Sequence, residues 1–124
     1  MREESKVKFP DVIRNSELEV ESGWEGLRGY MLQGPDGSQV VFWECDVETK
    51  AKPHKHDYDE YCLVVEGVCK ETIEGETKIL NKGDECAIPA GKLHWATMGP
   101  NYRAIDFFGG PRCKYKNKKP VRRI

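Results

Sequence analysis

The chain holds three histidines, and their placement invites a chemical reading. Two form the run His54-Lys55-His56. Residues i and i+2 of a strand point to one face, so two such imidazoles can close on a single ion. Glu60 follows the polar trio Asp57-Tyr58-Asp59, which can turn the chain so that Glu60 opens the next strand and faces back. His94 follows Pro89-Ala90-Gly91 on a later segment. Neutral imidazoles and a carboxylate suit a borderline first-row ion. The expected metal ligands are therefore His54, His56, Glu60 and His94, around one divalent transition metal (Mn, Fe, Ni, Zn or Cu). Four protein ligands on an octahedral ion leave two positions for water, substrate or O₂, whereas a closed structural zinc site leaves none.

A second stretch with chemical content is Asp106-Phe107-Phe108-Gly109-Gly110-Pro111-Arg112. By strand alternation Asp106 shares a face with Ala104 and Phe108. An acid on an interior face is costly to bury, which makes Asp106 a candidate general acid or base. Arg112 can hold a substrate carboxylate through paired hydrogen bonds. Asp106 and Arg112 are the expected catalytic residues. Cys62 and Val64 share a face with Glu60, so Cys62 reads as a packed thiol near the metal. Tyr61 and Trp95 have the opposite parity to their ligand neighbours and read as shell residues.

These groups need strands to aim them. Turn signals recur at Gly34-Pro35-Asp36-Gly37, Glu74-Gly75, Asn81-Lys82-Gly83-Asp84, Pro89-Ala90-Gly91 and Gly99-Pro100-Asn101. Between them lie short runs rich in β-branched and aromatic residues, such as Gln39-Val40-Val41-Phe42-Trp43 and Tyr61-Cys62-Leu63-Val64-Val65. That spacing predicts an all-β sandwich or barrel. Lys70–Ile73 and Thr77–Leu80 read as a hairpin around Glu74-Gly75. Residues 11–22 fit either one helical turn or a strand.

The spacing also resembles a known family. His54-Lys55-His56-x3-Glu60-x6-Gly67 resembles the first motif of the cupins, and Gly83-x5-Pro89-x-Gly91-x2-His94 resembles the second. Glu48 stands where the first motif usually begins with glycine, and Met98 where the second often ends in asparagine; neither is a ligand position. The resemblance covers residues 38–111. It implies a jelly-roll β-barrel in a small single-domain, RmlC-like cupin, and a metal held by the four residues named above. The ending D-x-F-x3-R resembles that of small cupins that process unsaturated uronates. There the aspartate and arginine serve catalysis and substrate binding, although glutamine tends to replace Glu60.

The functions implied are metal-dependent isomerase, ring-opening or lyase chemistry on a small carboxylated or sugar-like molecule. The alternatives are an Fe(II)-dependent dioxygenase and a non-catalytic binding or sensing barrel. Residues 1–20 read as an N-terminal arm able to add an edge strand, 21–112 as the barrel and 113–124 as a basic tail. The segment from Arg112 onward carries seven basic residues and no acid, against 13 basic and 21 acidic residues before it. With no matching basic face in the body, the tail reads as solvated, and no nucleic-acid partner is expected. No apolar run approaches a membrane span. The charged start lacks a signal-peptide pattern, so a cytoplasmic location is expected. Cys45, Cys62, Cys69, Cys86 and Cys113 are odd in number and lack C-x-x-C spacing, which argues for reduced thiols. Barrel closure and pairing into a homodimer would both cover sheet edges, so a homodimer is expected.

Overall fold

In the computed structural model, which describes residues 8–20, 23–110 and 115–122, alternation decides where each strand faces. Along β2 (Gln39–Cys45), Val41, Trp43 and Cys45 turn inward and are buried, while Val40 and Phe42 turn outward. The described residues form one helical turn, α1 (Asp11–Arg14), and eight further strands: β1 (Arg28–Gln33), β3 (Thr49–His54), β4 (Glu60–Glu66), β5 (Cys69–Ile73), β6 (Glu76–Leu80), β7 (Glu85–Ile88), β8 (His94–Met98) and β9 (Tyr102–Phe108).

The strands build two antiparallel sheets, in the orders β1-β2-β9-β4-β7 and β3-β8-β5-β6. Their inner faces enclose a core that includes Met31, Val41, Val64, Ile88, Ala104 and Phe108. This is the expected all-β jelly-roll barrel. The β5–β6 hairpin turns at Glu74-Gly75, with Ile73 opposite Glu76.

The core also draws on residues outside 21–112. Leu18 is fully buried and bridges Asn117, and Tyr115 packs against Trp43 and Phe108. Residues 11–14 take the helical option, and Glu17 then bridges Tyr30 of β1.

Two glycines carry backbone that other residues tolerate poorly. Gly67, between β4 and β5, has φ +82°, and a Cβ there would meet Tyr102 Cα at 3.1 Å. Gly91 has φ +81° just before β8, and its N–H donates to the His56 carbonyl at 2.7 Å. That bond ties the turn before His94 to the loop that carries His56.

Candidate metal centre

β3 ends on His54 and β8 begins on His94, directly opposite each other in the register. His56 does not continue β3 as expected. The ladder shifts between Ala51 and His54, and His56 lies in the loop to β4. Pro53 lacks the N–H that a continuing ladder needs. The loop nevertheless brings His56 to the same place, because its carbonyl is held by Gly91 and its ring stacks on Tyr58 at 4.3 Å. Glu60 is the first residue of β4, as the turn reading predicts.

One nitrogen from each of His54, His56 and His94 lies within 4.8 Å of the others. These three histidines are therefore positioned to bind one metal ion. Their Nδ1 atoms all face backbone carbonyls: His54 to Lys52 at 2.8 Å, His56 to Tyr58 at 2.7 Å and His94 to Lys92 at 2.8 Å. A carbonyl only accepts, so each Nδ1 carries the hydrogen and each neutral ring keeps its Nε2 lone pair for a ligand.

Glu60 sharpens the fit. Its Oε1 sits 3.0 Å from His56 Nε2 and 3.6 Å from His94 Nε2. His94 Nε2 is buried without a hydrogen-bond partner. Lone pairs that converge at this distance repel unless a proton or a metal ion lies between them, and a divalent ion would satisfy all of them at once. Burial alone would raise the Glu60 carboxyl. His56, His94 and Asp106 outweigh burial and hold it well below the usual carboxylate range. His94 is pulled down by burial but raised on balance by Glu60, the Lys92 carbonyl and Glu71.

Asp106 lies opposite Cys62 in the β4–β9 register, on the inner face. It is buried, its Oδ2 accepts the Trp43 indole N–H at 3.0 Å, and its Oδ1 has no partner. Burial, and then the charge of Glu60, push its carboxyl well above the ordinary range. Two neighbouring carboxyls thus divide their roles: Glu60 keeps the charge and Asp106 keeps the proton. Arg112 and Cys113 lie outside the described residues. Cys62 is a buried thiol pushed up by burial and by Asp106, which makes it inert.

The sequence reading missed Glu71. It points inward from β5 on the opposite sheet, and burial, then Glu60, push its carboxyl up to about 8. Its shared parity with Cys69 and Ile73 was the available signal. The cavity between the sheets has a volume of about 60 Å³ and is lined by His54, Glu60, Glu71, His94 and Asp106 together with apolar walls such as Trp24, Leu80, Met98 and Phe108. Trp95 also lines it, despite its opposite parity.

Two facing sheets with histidines at the mouth are the architecture that the motifs implied. A family model for the cupin domain matches residues 41–98, which include all four expected ligands. The chain carries a cupin domain. The barrel is similar to KdgF from Halomonas sp., at 29% identity and TM-score 0.68 over 79% of this chain and 87% of that one. It is similar to an RmlC-like cupin from Shewanella frigidimarina NCIMB 400, at 25% identity and TM-score 0.71 over 92% and 97%. Bacillus subtilis oxalate decarboxylase, an enzyme with Mn(II) centres, shares the fold at 15% identity and TM-score 0.65, over 80% of this cupin and 28% of that chain. No curated protein sequence is similar enough to count as a match. No helix among the described residues is long and apolar enough to cross a membrane.

Proposed function

We propose that this cupin is a metal-dependent enzyme that acts on a small polar, carboxylated or sugar-like molecule by isomerisation, ring opening or elimination. In this reading Glu60 completes the ligand set of His54, His56 and His94. The observation that carries it is Asp106, a buried carboxyl in its acid form with one oxygen unpartnered beside that ligand set. The hydrogen bond from Trp43 uses only one of its oxygens, and packing gives no reason to bury the other beside a charged Glu60.

A bound ion supplies Lewis acidity toward a carbonyl or hydroxyl oxygen. The chain's own residues supply the proton. Because Oδ2 of Asp106 accepts from Trp43, the proton sits on Oδ1. Donation from Oδ1 leaves a carboxylate that the indole N–H continues to stabilise. Arg112, which the sequence places beyond β9, would hold the substrate anion. A cavity of about 60 Å³ holds only a few waters, so a sugar-sized substrate would place its reacting end inside and the rest at the mouth. The ending D-x-F-x3-R makes unsaturated uronates the first substrates to try. The functional unit is a homodimer in this reading.

Mn(II)- or Ni(II)-loaded protein should consume unsaturated uronates, followed by loss of their conjugated absorbance. Asp106→Asn should slow this by roughly 10²-fold or more while metal content stays at the wild-type level. Equal rates for the two proteins would remove Asp106 from the chemistry. The apolar walls support a second reading, an Fe(II)-dependent dioxygenase, because a water-poor interior protects reactive oxygen chemistry. O₂ uptake by the iron-loaded protein would favour it.

A further inference from the structure

Strand register sets how deep each inward residue lies below the mouth. On β8, His94 stands at the mouth and Ala96 one inward step deeper; on β5, Ile73 pairs with His94 and Glu71 with Ala96. On the other sheet, Phe108 pairs with Glu60 at the mouth and Asp106 with Cys62 one step deeper. An inward step is two residues, roughly 7 Å. Glu71 and Asp106 therefore lie at the same depth on opposite walls of the cavity, beneath the expected ligands.

Asp106 has a task in the proposed reaction, and Glu71 has none. Glu71 is only 7% exposed. Its Oε2 is approached by the Cys69 thiol at 4.0 Å, a weak contact, and no other donor reaches its carboxyl among the described residues. Lys78, opposite it on β6, is exposed and forms no ion pair with it among the described residues. Nor does Glu71 join the histidines that are positioned to bind an ion. A buried carboxyl this short of partners costs stability, and a ligand that enters the cavity would supply the missing partner.

We propose that Glu71 is a specificity-determining residue that binds a hydroxyl on the end of the substrate that enters between the sheets. The inference rests on the enzyme reading above and names the group that the site selects. A hydroxyl both donates and accepts, so it pairs with the carboxyl in either protonation state. A substrate carboxylate does not suit this depth, because it would meet Glu71 and Asp106, and no lysine or arginine lines the cavity among the described residues. The substrate's own carboxylate stays at the mouth, and a hydroxylated carbon leads the way in. The next row inward is Met98, Cys69 and Leu80, which offers a hydroxyl no strong partner. Discrimination for the hydroxyl then falls to Glu71, since a ligand without it leaves the buried carboxyl unpaired.

Glycolate and acetate differ by one hydroxyl. Calorimetric titration of each into the Ni(II)-loaded full chain measures the preference between them. The wild type should prefer glycolate, and Glu71→Met should cut that preference at least tenfold with nickel content unchanged. Glu71→Gln, which still donates and accepts hydrogen bonds, should keep most of it. A preference that survives Glu71→Met would overturn the role, because the ion alone would then hold the hydroxyl. Equal affinities for the two acids in the wild type would do the same, and so would loss of nickel from Glu71→Met, which would make Glu71 a metal ligand. The enzyme reading fails separately: unsaturated uronates left unconsumed, with a glycolate preference that still depends on Glu71, would remove the reaction and keep the hydroxyl site.

Discussion

Replacing Glu71 by glutamine should make the metal-free protein more stable, and increasingly so as the pH rises. Glu71 is an acid whose folded value, about 8, lies above its ordinary 4.5 because burial and Glu60 both oppose its charge. Below pH 4.5 the folded and unfolded chains both hold the proton, and Glu71 adds no pH dependence. Between pH 4.5 and about 8 the unfolded chain releases a proton that the folded chain keeps. The folded state then binds more protons, so stability falls as pH rises. Above pH 8 the penalty is complete. The full separation corresponds to an upper bound of roughly 5 kcal/mol at about 1.4 kcal/mol per pH unit. Relaxation and water entry reduce it, and a third of that bound, ~1.5 kcal/mol, still shifts the melting temperature of a domain this size by about 5–9 °C. Glutamine keeps the shape and cannot ionise. Thermal melts of metal-stripped wild type and Glu71→Gln at pH 4.5, 6 and 8 read the difference directly. The gap should grow in favour of the variant across that range. A gap that is flat with pH would show that Glu71 ionises freely in the fold and would refute the argument.

Two further outcomes follow from the site and its scaffold. Adding Mn(II) or Ni(II) to the stripped protein should raise its stability by about 2.7 kcal/mol at a hundredfold excess over Kd, and His94→Ala should abolish the shift; an unchanged shift in that variant would place the ion elsewhere. Glu44 is buried and accepts from Tyr30 Oη and from Arg28 at 3.0 Å, with Arg103 at 3.4 Å. Glu44→Gln removes the charge beside the buried Arg103 and leaves Asp46 at 3.4 Å as its remaining carboxylate partner among the described residues, so urea unfolding should report a loss of about 3 kcal/mol, and a loss under 1 kcal/mol would contradict the ion-pair account.

Much of this arrangement is legible in the sequence because strand parity and turn chemistry are local. His54, Glu60 and His94 fall at strand ends because turn residues bracket them, and the hairpin at Glu74-Gly75 follows from its own composition. His56 reached the predicted place by an unpredicted path, since the ladder shifts around Pro53 and stops at His54 while a distant glycine, Gly91, holds the loop. Glu71 and the Glu44 cluster escaped the reading for another reason. Glu71 is interred by what the facing sheet lays over it, and Glu44, on the outer face, by Tyr30, Arg28 and Arg103; both are long-range facts. The indole partner of Asp106 is hidden in the same way, because Trp43 lies 63 residues away in the chain.

The ligands have a mechanical consequence. His54 and His94 belong to the four-stranded sheet, whereas Glu60 belongs to the five-stranded one. If Glu60 completes the ligand set as proposed, an ion gripped by all three would rivet the two layers at one end of the barrel. The opposite end is closed by the chain itself, because the links β2–β3, β4–β5, β6–β7 and β8–β9 all cross between the sheets there, and Gly99 N–H donates to the Val68 carbonyl. The layers would then behave like a clasp hinged at the base and caught at the mouth, so that binding an ion would close the end that carries the chemistry.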